Sequence, residues 1–159
     1  MGGNPLRWRD SRGLKVRVVT SDSVAAKILM DAYARLNKSK RARQINDKLE
    51  KSCDVYEIRP IERDAFYCPE GTTDPKCNGK TRAVYVDPYN AVELPTTNGM
   101  QRTPLEVVLG HELGHANGED DDGLNRMNNV NTNENPIRRD LGLPPRTSYV
   151  VPFIHWVPN

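Results

Sequence analysis

Apolar and polar residues alternate with period two over Lys15 to Thr20, Val55 to Arg59 and Arg82 to Asp87, and each of these stretches is predicted to be a strand. Val24, Ile28, Leu29, Ala32, Tyr33 and Leu36 instead recur at helical spacing behind the capping oxygens of Ser21, Asp22 and Ser23, which predicts a helix over 24–36. Ile45 and Leu49 mark a second, shorter helix. The basic run Lys38 to Arg43 between them reads as a solvated connector, since no aromatic residues interleave it as a nucleic-acid groove would require. Residues 88–102, with Pro88, Pro95 and Asn98-Gly99, read as turns. Residues 1–14 show neither period and form an extended lead-in to one domain over 15–159.

The most clearly signalled helix begins at Thr103-Pro104-Leu105-Glu106, with threonine at the N-cap, proline in the first turn and glutamate placed to close a capping box. It runs to Asn117, and Gly118 supplies a left-handed stop. Inside it lies His111-Glu112-Leu113-Gly114-His115, an H-E-x-x-H pattern. Residues four apart sit one above the other on a helix, so both imidazoles can share a metal, while Glu112, one position on, can take a proton from the attacking water. Two imidazoles plus a third ligand suit Zn²⁺ with one position left open. Asp121 would complete H-E-x-x-H-x-x-G-x-x-D, and Glu134, in Asn133-Glu134-Asn135, would complete a pattern in which the third ligand comes from a later helix. We take His111, His115 and Glu134 as the ligands, because Met127 follows Asp121 too closely to form the methionine turn that the first pattern requires, and Asp121 belongs to the acidic turn 119–123.

A short helix over 136–142 is predicted next, with Arg138 one turn beyond Glu134 as a clamp on its carboxylate. Arg146-Thr147-Ser148-Tyr149 offers a guanidinium and a phenol for the oxyanion formed on a peptide carbonyl, which makes Glu112, Arg146 and Tyr149 the catalytic candidates. His155 is read as packed against its neighbours rather than as a ligand. The expected fold is α+β and zincin-like: a small twisted sheet with helices packed on it, and the motif helix beneath an edge strand formed by Arg82 to Asp87.

Composition narrows the partners. Lys and Arg number 23 against 21 Asp and Glu, so net charge alone drives binding to neither nucleic acid nor anionic lipid. No apolar run approaches the ~18 residues of a membrane helix, and Met1 to Pro5 holds no Sec-type signal. Cys53, Cys68 and Cys77 cannot all pair within the chain and contain no C-x-x-C for zinc. The turn-rich loop from Cys68 to Cys77 could be closed by a bridge, the alternative being idle thiols in a reducing compartment.

The stretch from His111 to Tyr149, with H-E-L-G-H-A, N-E-N-P-I-R-R-D-L-G and R-T-S-Y in that order, resembles the NleD-type effector metallopeptidases that bacteria inject into host cells. Its R-x-x-Y element is also similar to that of clostridial neurotoxin light chains. At the other end, Asn4-Pro5-Leu6-Arg7-Trp8-Arg9-Asp10-Ser11-Arg12-Gly13-Leu14 looks like the sequence that closes the RHS/YD-repeat shell, with Ser11 where a proline is usual. Together the resemblances imply a zinc endopeptidase toxin, delivered by a secretion machine from an RHS shell, cutting a protein of the target cell and accompanied by a cognate immunity protein. The alternative of a different class is a catalytically silent, zincin-like module that binds a protein partner and uses zinc as a strut.

Overall fold

Residues 14–151 and 153–159 are described by the computed structural model. The shell-end motif, up to Gly13, lies outside them. Strands β1 (Val16–Val18), β2 (Tyr56–Pro60), β3 (Ala65–Cys68) and β4 (Ala83–Val86) form one sheet in the order β1-β2-β4-β3. The first three neighbours run parallel, which requires crossovers, and helices α1 (Ser23–Leu36) and α2 (Lys40–Glu50) supply the one between β1 and β2. Asp22 caps α1 through its side chain, accepting from the backbone N–H of Val24 and Ala25. Ser39 caps α2, so Lys40 to Arg43 form its first turn rather than a connector.

Two other expectations change here. Arg82 to Asp87 does give a strand, but β4 is flanked by β2 and β3, and the edges of the sheet are β1 and, on the β4 side, β3. That edge was not foreseen, because Ala65-Phe66-Tyr67-Cys68 is uniformly apolar and lacks alternation. Residues 88–102 are also not mere turns: β5 (Asn90–Thr96) and β6 (Gly99–Arg102) form a hairpin, and β7 (His155–Pro158) pairs with β5 from the other side. Pro95 disguises β5 in the sequence, yet its carbonyl still pairs, accepting from Thr147 N–H at 3.0 Å.

Helix α3 (Leu105–Ala116) packs with α1 and α2 against the first sheet, and α4 (Asn135–Asp140) packs on α2 and α3. Leu29, Leu36, Ile45, Ile58, Val84, Val86, Val107, Leu109, Leu113 and Ile137 form the continuous core. α3 is buried on almost every side, so the imidazoles it carries are held in a rigid element. The capping box at its start does not form. Thr103 turns its hydroxyl inward to accept from Arg138 Nη2 at 3.1 Å, Pro104 takes the N-cap position, and Glu106 pairs with Arg35 at 3.3 Å. Cys68 and Cys77 are joined by a disulfide that ties β3 to the turn Pro75–Cys77, and Cys53 is free and exposed. Among the described residues, no helix is long and apolar enough to cross a membrane.

Candidate active site

His111 and His115 project from one face of α3, their rings edge to face with centroids 4.9 Å apart. His111 Nδ1 lies 3.0 Å from Glu134 Oε2, and His115 Nδ1 lies 2.6 Å from the backbone oxygen of Glu119. Carboxylate and carbonyl oxygens only accept, so in the neutral rings each Nδ1 carries the proton and each Nε2 presents a lone pair. Gly118, with φ +98°, turns the chain at the end of α3 and brings the following loop back beneath the helix. There Asp121 sets Oδ1 3.5 Å from His111 Nε2 and Oδ2 3.2 Å from His115 Nε2. Asp121 Oδ1 is buried without a hydrogen-bond partner.

Acceptors from His111, His115 and Asp121 therefore converge on one point, all within 4.8 Å of one another. Such an arrangement repels itself unless a cation sits in it. Zinc ligands at ~2.0–2.1 Å in a tetrahedron stand ~3.3 Å apart, close to the separations found, so the residues fit the ion. A proton is the other answer. Burial lowers the pKa of His111, but hydrogen bonds to Asp121 and Glu134 outweigh it and push the ring up to about 10. His115 is raised in the same way, burial opposing and Asp121 prevailing.

Glu134, expected as the third ligand, stands on the other side of His111. A π-helical turn, Val130–Glu134, leads into α4 and places its carboxylate at Nδ1, where it accepts from Arg138 Nε at 2.8 Å and Arg146 Nη1 at 3.0 Å. Burial raises the pKa of Glu134, yet His111 and the two arginines hold it down at about 2. An ionised carboxylate behind a ligating imidazole fixes its tautomer and strengthens it as a ligand. The clamp expected from Arg138 is present, on a carboxylate that meets His111 at Nδ1, away from the Nε2 that faces Asp121.

Arg146 likewise has a different place from the one its R-x-x-Y spacing suggested. Besides Glu134, it donates through Nε to Ser148 O and through Nη2 to Tyr149 O, and it is buried. It holds the segment bearing Tyr149, and it also lines the cavity beside His111 and Glu112. The half-buried Tyr149 ring lies between the guanidinium groups of Arg126 and Arg146, at 4.6 and 5.0 Å from its centroid, and 6.3 Å from the His111 ring. Burial and the facing Asp121 carboxylate push its hydroxyl up to about 12. Burial raises the pKa of Glu112, with His111 and His115 pulling against it. A buried carboxylate of raised pKa beside the two imidazoles is suited to accept and return a proton. His155 is neither packed nor a ligand: it is exposed and pairs with Glu93 on β5 at 2.6 Å.

Sequence reasoning missed Asn129, Asn133 and Arg41. Asn129 Nδ2 donates to the backbone oxygen of His111 at 3.0 Å, Asn133 Nδ2 donates to Asn129 Oδ1 at 2.7 Å, and Arg41 closes the chain on Asn133 Oδ1. All of this lies against Gly114. A Cβ there would come within 2.4 Å of Asn129 Oδ1 and 2.7 Å of Asn133 Nδ2. The glycine inside H-E-L-G-H was the available signal that a polar layer packs on the helix backbone. Gly114→Ala should therefore lower stability by about 1–3 kcal/mol in denaturant unfolding, despite alanine's ~1 kcal/mol better helix propensity.

No family model and no curated protein sequence matches the chain. Its fold is similar to that of the Salmonella zinc metalloprotease effector GtgA, with a TM-score of 0.52 over 80% of this chain and 68% of that one at 18% identity. At that identity the likeness is one of fold.

Proposed function

We propose that the protein is a zinc-dependent endopeptidase that works as a secreted or injected toxin or effector on a protein of a target cell. The observation that carries this reading is the convergence of His111 Nε2, His115 Nε2 and the Asp121 carboxylate, whose Oδ1 is buried without a hydrogen-bond partner, on one point beside the buried Glu112. A metal serving as a strut has no use for Glu112, and this favours catalysis over the silent binding module. Fold similarity to a zinc metalloprotease effector adds support.

Bound by His111, His115 and Asp121, zinc would lower the pKa of water to ~7 and polarise the carbonyl under attack. Glu112 accepts the proton of the attacking water and returns it to the leaving amine. Glu134, held by Arg138 and Arg146, keeps the Nδ1 proton on His111 and fixes the ring. Tyr149 turns its hydroxyl from Asp121 to the developing oxyanion. An extended substrate pairs with the free edge of β3, whose Ala65 lines the same cavity as His111.

Delivery from an RHS shell, with a cognate immunity protein in the producing cell, rests on the motif from Asn4 to Leu14. The Cys68–Cys77 bridge agrees with passage through an oxidising compartment. Purified protein should carry about one zinc per chain by elemental analysis, and His111→Ala or His115→Ala should each empty the site. Tyr149→Phe should keep zinc and fold while slowing turnover on the order of 10²-fold with KM little changed. Loss of zinc in that variant would make the tyrosine a ligand instead.

A further inference from the structure

The cavity beside the site, of about 180 Å³, is lined by Val92 and Leu94 of β5, Val108 of α3, Val151 and Ile154 of the segment after Tyr149, and Trp156 of β7. His111, Glu112 and Tyr149 open onto the same space, so whatever enters it lies next to the reacting bond. An aliphatic-lined cavity of ~150 Å³ is enough to hold benzene, which puts an aromatic ring or a branched aliphatic group within range. The charges on its wall outside the catalytic groups are already satisfied. Arg146 and Glu134 pair with each other at 3.0 Å, and Asp64 pairs with Lys76 at 2.9 Å. The rim continues the apolar character. Between Tyr149 and β7, Val150, Phe153 and Ile154 are 67%, 86% and 67% exposed, more apolar surface than a short loop shows to water without a use for it.

We propose that this cavity is the specificity pocket, and that it takes a large apolar side chain, aromatic or branched aliphatic, from the substrate residue next to the scissile bond. The inference rests on the protease reading above. Val92 and Leu94 are its buried wall, and Ile154, largely exposed, stands at its rim.

A series of peptide hydroxamates, identical except for benzyl, isobutyl, methyl, aminobutyl or carboxymethyl at the carbon beside the zinc-binding group, tests this without requiring turnover. Titrated calorimetrically into the zinc-loaded chain, the benzyl and isobutyl compounds should bind at least ~10-fold more tightly than the other three. Val92→Phe, which fills the pocket, should erase or reverse that order. Ile154→Ala, at an exposed position, should weaken the benzyl compound several-fold more than the methyl compound. Equal affinity across the series, or tightest binding of a charged member, overturns the pocket assignment and leaves the protease reading standing. Failure of every member, the methyl compound included, to bind the zinc-loaded chain overturns the metal site and the pocket with it.

Discussion

Glu112→Gln should abolish cleavage to within background, a loss on the order of 10²–10⁴-fold for one general base, while zinc content and melting temperature stay at the wild-type level. Glutamine keeps the size and much of the hydrogen bonding of the buried side chain but cannot accept a proton from water. Because burial raises the pKa of Glu112 in the wild type, removing its charge spares the fold a desolvation cost, and stability should be unchanged or slightly higher. The measurement is cleavage of target-cell lysate, followed by mass spectrometry, alongside survival of cells expressing each form. Equal cleavage or equal toxicity by the glutamine variant would remove the peptidase reading and leave zinc-dependent binding of a partner.

The second large effect separates the two carboxylates that compete for the ligand role. Asp121→Ala should lose zinc at a smaller cost to the metal-free chain than loss of Glu134, since of its two oxygens Oδ1 has no hydrogen-bond partner and Oδ2 meets a titratable ring, His115 Nε2 at 3.2 Å. Glu134→Ala should instead cost about 3–5 kcal/mol of stability, because it strands the buried guanidinium groups of Arg138 and Arg146. Unfolding in excess chelator, with zinc counted separately by elemental analysis, resolves the pair. Retention of full zinc by Asp121→Ala together with its loss from a still-folded Glu134→Gln would reinstate Glu134 as the ligand.

The proposed chemistry rests on residue types at fixed spacing. An i, i+4 pair of histidines on a well-marked helix can share an ion whatever surrounds it, so His111, Glu112 and His115 followed from local geometry alone. So did the strands at β1, β2 and β4 and helix α1, where one periodicity and clear caps agree. Arg138 was placed on the face of Glu134 for the same reason, and the two do meet.

The third ligand was different. Chain spacing allows both Asp121 and Glu134 to reach His111, and the difference is which ring nitrogen each meets: Nε2 for Asp121, Nδ1 for Glu134. That choice depends on the path of the loop after Gly118 and on how α4 packs against α2 and α3, the latter set by contacts distant in sequence. Thr103 illustrates the same limit, its N-cap signal being overridden by Arg138, 35 residues on. Arg146 carried the spacing of an oxyanion donor and was drawn instead to a buried carboxylate, because an ionised Glu134 inside the core requires cationic partners. The edge of the sheet also lay beyond local pattern, since a strand's neighbours are decided by which apolar faces pack together, and β3 rather than β4 was left with a free side.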